Sequence, residues 1–206
     1  MRTLILFRHG EVDEKHRANF YGQMDVELSE KGKRDSIEVV EILSDLDISA
    51  IFSSPLKRAL FPATLLSQRK SVPLFIRDDL KEVNYGLWTG KARREVYSDP
   101  LFWERLRDDT ITPPGGESIR DLRRRAGEFL RYVIGEEGDT GVVFTHGGFL
   151  KALMCEVLNL ESRLFYTFEI YHLRAVILQF KGKDAIIKGM NVSANDVKNI
   201  LNGSYW

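Results

Sequence analysis

Two short segments carry side chains suited to handling an anion. Arg8-His9-Gly10-Glu11 follows the run Thr3-Leu4-Ile5-Leu6-Phe7, and His146-Gly147-Gly148 follows Gly141-Val142-Val143-Phe144-Thr145, so an imidazole and a glycine end each apolar stretch. A third segment, Ser53-Ser54-Pro55-Leu56-Lys57-Arg58, places a guanidinium just beyond the β-rich run from Ile48 to Phe52. Guanidinium forks stay charged and match phosphate oxygens in pairs, while neutral imidazole attacks phosphorus well once its other nitrogen is held by an acceptor. A single histidine at a strand end is ordinarily structural. Two imidazoles and two guanidiniums at equivalent strand ends suit a phosphate, with His9 as the group to which the rest delivers partners.

The elements that must position these side chains are readable from the pattern. Thr3 to Phe7 and Gly141 to Thr145 lack polar alternation, which predicts strands buried on both faces, and in open α/β sheets ligands bind beyond the carboxyl ends of such strands. Ser29 is expected to cap a helix with Val39, Ile42, Leu43 and Leu46 on its covered face. Ser54 is expected to cap another with Pro55 at its first position, which puts Arg58 in the first turn; Pro62 should kink or shorten that helix. Leu74 to Ile76 predicts a third strand. A charged, weakly amphipathic stretch over 92–114, closed by Pro113-Pro114-Gly115-Gly116, predicts a partly helical insertion that acts as a lid. Ser118 and Asp121 form a capping-box pair before a strongly periodic helix, and Phe149 to Leu158 predicts another. Ala175 to Phe180 and Ala185 to Lys188 predict closing strands around Lys181-Gly182-Lys183-Asp184, followed by a polar tail after Asn191. Strands alternating with helices predict one α/β domain over 1–206, with a mostly parallel central sheet covered on both faces.

Composition narrows the functional classes. Lys and Arg number 30 against 30 Asp and Glu, for a formal net charge of zero, so no global field draws in nucleic acid or an anionic membrane, and any anion site is local. The single Cys155 excludes an intramolecular disulfide and a cysteine-built metal site; with no apolar leader or membrane span in the sequence, a reducing cytoplasmic setting is expected. The terminal Tyr205-Trp206 pair could form an edge or a partner surface, and oligomeric state is not readable.

Further motifs join the first three: Leu28-Ser29 with Gly32, Leu80 with Glu82, Gly86, Trp88 and Gly90, and Gly115-Gly116-Glu117-Ser118. In this order they resemble the histidine phosphatase superfamily, in its phosphoglycerate mutase-like branch, from the first strand to about residue 160. The resemblance implies a three-layer sandwich of the phosphoglycerate mutase type. It implies that His9 is the nucleophile that becomes a phosphohistidine, that Arg8, Arg58 and a protonated His146 hold the phosphoryl oxygens, and that Glu82 gives a proton to the leaving alkoxide and later takes one from water. Glu82 must then hold a proton near neutral pH, which a partly buried position beside an anionic phosphate favours. No metal or other cofactor is implied.

The chain departs from that pattern at Lys15, where many members carry Asn, at Asn19-Phe20-Tyr21-Gly22, where they carry Arg-x-Gln-Gly, and at Pro62, where they carry Thr. Lys15 could replace the Asn as a point-charge phosphate contact or be a solvated loop lysine; Lys15-His16-Arg17 could hold a second acidic group of the substrate or be an exposed basic loop. Mutases of the family resemble one another in an Arg directly after the acid and a long insertion before the second half. Here Val83 follows Glu82 and the interval to His146 is short, which favours water as acceptor. The expectation is a phosphomonoesterase for a small phosphorylated metabolite, with α-ribazole phosphate, phosphoserine and sugar phosphates as candidates. The alternatives are a cofactor-dependent phosphoglycerate mutase and a non-catalytic phosphate-binding module. Arg123-Arg124-Arg125 reads as a solvated helix face with Arg125 available for an ion pair, His172 as a packing histidine that could approach the site, and Trp88, Phe102 and Trp103 as core or pocket wall.

Overall fold

A computed structural model describes residues 2–136, 138–182 and 184–203; Lys183 of the predicted turn and the terminal Ser204-Tyr205-Trp206 lie outside them. In chain order the elements are β1 (Thr3–Arg8), α1 (Glu30–Leu43), β2 (Ala50–Ser53), α2 (Lys57–Lys70), β3 (Leu74–Ile76), α3 (Arg93–Tyr97), α4 (Pro100–Arg105), α5 (Ile119–Gly135), β4 (Thr140–Thr145), α6 (Gly147–Val157), β5 (Ala175–Lys181), β6 (Asp184–Val192) and α7 (Ala194–Leu201). The strands form one six-stranded sheet in the order β3-β2-β4-β1-β5-β6. The first four are mutually parallel, and β5 and β6 close the far edge antiparallel.

Because β4 lies between β1 and β2, the carboxyl ends of these three strands are neighbours on one rim. The period-2 alternation of β1 divides its side chains between two cores. Leu4 and Leu6 pack with α5 and α6 on one face, and Ile5 and Phe7 pack with α1, α2 and α7 on the other. This gives the three-layer α/β sandwich that the alternation of elements predicts.

Local chemistry explains the helices closest to the site. Ser29 caps α1 by accepting from the Gly32 amide, and Ser118 forms a reciprocal capping box with Asp121 at α5. Helix α2 differs from expectation: it starts at Lys57 after an extended Leu56, without a side-chain cap, and runs unbroken through the buried Pro62 to Lys70. Arg58 still falls in its first turn. The polar tail expected after Asn191 instead continues β6 and forms α7, whose Ala194 and Val197 join the core against α1.

Segment 92–114 holds α3 and α4 over a small cluster of Phe20, Trp88, Val96 and Phe102. Trp88 is anchored by donation from its indole to Asp99, whereas Trp103 is half exposed. Among the described residues no helix is long and apolar enough to cross a membrane.

Candidate active site

His9 and His146 leave the ends of β1 and β4, and their ring centroids lie 5.2 Å apart, both side chains fully shielded from solvent. His9 Nδ1 sits 2.7 Å from the carbonyl oxygen of Gly10. A carbonyl only accepts, so Nδ1 carries the proton and Nε2 keeps its lone pair. That Nε2 has no partner within the protein. Burial, then the charge of Arg58, holds the His9 pKa well below the ordinary imidazole value, so the ring is neutral.

The tautomer of His146 is opposite. Its Nε2 lies 2.8 Å from Ser54 Oγ, which accepts from the Leu56 amide and has its hydroxyl proton free to donate to the imidazole. That proton has no other acceptor among the described residues, so Nε2 accepts it, and Nδ1–H, buried and unpaired, is the available donor. Burial, followed by Arg58, lowers the His146 pKa well below the ordinary value, which in the site without phosphate disfavours the protonated form that the resemblance implies. Ser54, read from sequence as a helix cap, is spent on fixing this ring.

The guanidiniums complete the cluster. Arg8 donates from Nη1 to the Ile170 carbonyl (2.6 Å), and Arg58 donates to the carbonyls of Met24 (2.8 Å) and Gly22 (2.6 Å). In both, Nε is buried and unpaired. Arg58 also lies 5.0 Å from the ring centroid of Tyr21, which in turn packs edge-on to His9. Arg8 Nε, Arg58 Nε and His146 Nδ1 are thus donors without acceptors around a bare nucleophilic nitrogen. Unsatisfied buried donors cost free energy, so such a set is built to receive an anion with several oxygens.

Glycines let the other parts approach. A Cβ on Gly147 would stand 3.3 Å from Arg8 Nε, and one on Gly148 would stand 2.3 Å from a Glu82 oxygen. Glu82 accepts from the Gly148 amide at 3.2 Å and from the Val83 amide at 2.9 Å. Its backbone is clamped as well: Arg125 donates to the carbonyls of Asp79, Lys81 and Glu82, and Gln23 donates to the last. Glu117 grips Arg125 through both carboxylate oxygens. Arg123 differs from the solvated face expected of the triplet, since it donates to the Leu160 carbonyl and Ser162; Arg125 forms an ion pair, as expected of it, with Glu117 and also holds the Glu82 loop, while Arg124 remains on the surface.

The His172 ring lies tilted against that of His9, centroids 5.5 Å apart, with Nε2 buried and unpaired, and burial lowers its pKa to about 3. It borders the nucleophile, a placement for which the sequence offered no periodic or motif signal. Lys15 stands apart: it is exposed, paired with Asp13 at 3.5 Å, and does not line the cavity beside the cluster. Arg17 likewise turns to Glu11 at 2.8 Å. That cavity, of about 300 Å³, is walled by Arg8, Tyr21, Glu82, Tyr85 and Gly148, together with Phe102 and Tyr166. Among the described residues no group of His, Cys, Asp and Glu side chains is arranged to hold a metal ion.

A mostly parallel α/β sheet that gathers a bare imidazole nitrogen and unpaired guanidinium and imidazole donors at one rim suits phosphoryl transfer. A sequence model of the histidine phosphatase superfamily (branch 1) matches residues 4–193, and the chain belongs to that superfamily. Phosphoserine phosphatase 1 of Hydrogenobacter thermophilus is 27% identical over 199 residues, covering 95% of this chain and 94% of that protein. Glucosyl-3-phosphoglycerate phosphatase of Mycobacterium tuberculosis is 30% identical over 172 residues, 77% of this chain and 76% of that one. The structure of a phosphoserine phosphatase mutant from Entamoeba histolytica in complex with phosphoserine superposes with a TM-score of 0.83 at 26% identity, covering 96% of this chain and 100% of that one.

Proposed function

We propose that this protein is a phosphomonoesterase that hydrolyses a small phosphorylated metabolite through a phosphohistidine on His9. The carrying observation is the pairing of His9 Nδ1 with the Gly10 carbonyl, which leaves Nε2 bare among the unpaired donors of Arg8, Arg58 and His146. Phosphoserine, sugar phosphates and α-ribazole phosphate are the candidate esters. The first two agree in class with the relatives named above.

In the first step His9 Nε2 bonds to phosphorus as the ester P–O bond breaks. Protonated Glu82 transfers its proton to the departing alkoxide. Arg8, Arg58 and the His146 Nδ1–H take the charge that builds on the equatorial oxygens, in a site already organised for it. In the second step the Glu82 carboxylate takes a proton from water as the water oxygen attacks phosphorus, and the P–N bond breaks to release phosphate and neutral His9. Fixed dipoles and guanidiniums do not reorganise between the two steps, so one site serves both.

Phosphate release from a panel of esters in excess chelator, with His9→Ala as the blank, tests the reading. Turnover of at least one ester that vanishes in the variant is the expected result. Isomerisation of 3-phosphoglycerate without phosphate release would assign a mutase instead, and turnover that persists in His9→Ala would remove the covalent mechanism.

A further inference from the structure

The steps above use Arg8 Nε, His9 Nε2, Arg58 Nε and His146 Nδ1, all buried without a partner, and leave a further such atom, His172 Nε2, without a task. Its ring is the one tilted against His9. The other ring nitrogen, Nδ1, is not shielded in this way, and the ring also lines a second cavity, of about 350 Å³, with Glu11, Asp35 and Ser193. With Nδ1 reached by solvent, Nε2 carries the hydrogen whenever an anion lies in front of it, since a lone pair there would repel the anion's oxygens.

The turn that carries this ring is fixed from several directions. Arg8 Nη1 donates to the Ile170 carbonyl at 2.6 Å, and the Leu173 amide donates to the Arg8 carbonyl at 3.0 Å. The Asn191 side chain accepts from the Tyr171 amide at 2.9 Å and donates to the Glu169 carbonyl at 2.7 Å. Leu173 and Asn191 are both left-handed, with φ of 53° and 55°, a conformation that suits asparagine and that leucine rarely adopts. Backbone strain of this kind persists only where the surroundings over-determine it. Here it sets an imidazole beside the nucleophile, on the same turn that anchors Arg8.

A ring that served only as packing would be better as phenylalanine, because a buried nitrogen without a partner costs free energy. Burial, followed by Arg8 and Arg17, holds the imidazole neutral, so it adds a donor to the cluster without adding a charge. Lys15, the loop residue weighed from sequence as a phosphate contact, is exposed and paired with Asp13.

We infer that His172 is a further catalytic residue, whose Nε2–H donates to an oxygen of the transferring phosphoryl group beside Arg8, Arg58 and His146. The role rests on the phosphatase reading of the same site. The proton stays on His172 through both half-reactions, while Glu82 alone exchanges protons with the leaving group and water. A hydrogen bond to a charged acceptor separates the enzyme from a variant lacking it by about tenfold to a hundredfold in affinity.

Orthovanadate and inorganic phosphate are titrated into wild type, into His172→Phe, which keeps a flat ring and loses both nitrogens, and into His172→Gln, whose side-chain amide keeps a donor. His172→Phe should bind either anion about tenfold to a hundredfold more weakly. Its kcat/KM should fall by a similar factor on every ester hydrolysed, because the oxygen concerned belongs to the phosphoryl group and not to the leaving group. Its melting temperature should hold or rise, since a buried unpaired nitrogen is gone, and His172→Gln should recover most of the affinity. In wild type, imidazole NMR should show a His172 Nε2–H signal that becomes protected from exchange as vanadate binds, which reads the bond without any substitution. Full anion affinity in His172→Phe, equal losses in both variants, a loss confined to His172→Gln, or a vanadate complex without that signal would each overturn the inference. Turnover abolished by His9→Ala would leave the phosphatase reading standing in all of these cases. A wild type that binds neither anion and hydrolyses no ester would remove that reading and this inference with it.

Discussion

At the residue scale, the chemistry depends on which nitrogen of each histidine is left over. His9 spends Nδ1 on its neighbour's carbonyl and offers a lone pair; His146 spends Nε2 on Ser54 and offers a proton. Ser54→Ala should leave His146 Nε2 buried and unpaired and release the ring to the other tautomer. We expect kcat/KM to fall about tenfold to a hundredfold and stability to fall by about 1–3 kcal/mol, read by steady-state kinetics and chemical denaturation. Glu82→Gln keeps the shape of the acid and abolishes its proton transfer, so kcat should drop by about 10²–10⁴ for esters with poor leaving groups. An aryl phosphate, whose leaving group needs less protonation, should suffer much less in the first step. Equal losses on both would show that Glu82 acts by positioning.

At the scale of elements, the carboxyl ends of β1, β2 and β4 deliver His9, Arg58 and His146, and the loop clamp of Arg125 and Glu117 delivers Glu82. Arg125→Met would strand the Asp79 and Lys81 carbonyls, leave that of Glu82 to Gln23 alone, and deprive the Glu117 carboxylate of its ion pair. The expected outcome is a loss of about 3–5 kcal/mol, because one partner of a largely buried pair is removed, with activity falling further than stability explains as Glu82 loses its anchor. Much of this scaffold was legible in the sequence. Unbroken apolar runs located β1 and β4, and serine caps with 3.6-residue periodicity located α1 and α5, because burial on two faces or one leaves its period in the chain. Ser54 was misread because the same residue that suits a helix cap also suits a buried hydrogen bond to a histidine 92 positions away, and only tertiary structure decides between them. Helix α7 escaped notice because it is short and polar, with its apolar contacts confined to Ala194, Val197 and their neighbours. The roles of Arg125 and His172 depend on loops that no local pattern places.

At the scale of the whole molecule, a chain of zero formal net charge concentrates cations at one rim. That arrangement ties stability to pH. His9 and His146 are buried and neutral, with pKa values lowered chiefly by burial, so above about 6.5 they are neutral in the folded and unfolded states alike. Below about 6.5 the unfolded chain binds protons that the fold refuses, and stability falls with decreasing pH, by up to about 1.4 kcal/mol per pH unit for each such group. His172, lowered to about 3, adds to the same decline between about 6.5 and about 3. Denaturant midpoints should decline from pH 7.5 to 5.5, and His146→Gln, which cannot titrate, should flatten that slope. Phosphate or vanadate supplies the acceptors that the buried donors lack. At a hundred times its dissociation constant either anion should stabilise the fold by about 2.7 kcal/mol, and an unchanged melting temperature would contradict the cluster's assignment as a phosphate cradle.

The most direct test of the central claim is to mix enzyme with a turned-over ester, quench in alkali, where phosphohistidine survives, and map the modified peptide by mass spectrometry. The account predicts one phosphoryl group on His9, attached through Nε2, that accumulates further in Glu82→Gln with an aryl phosphate, where water is no longer activated, and is absent from His9→Ala. Turnover with no phosphoryl group on any histidine at any quench time, or a phosphoryl group on His146 in place of His9, would contradict it.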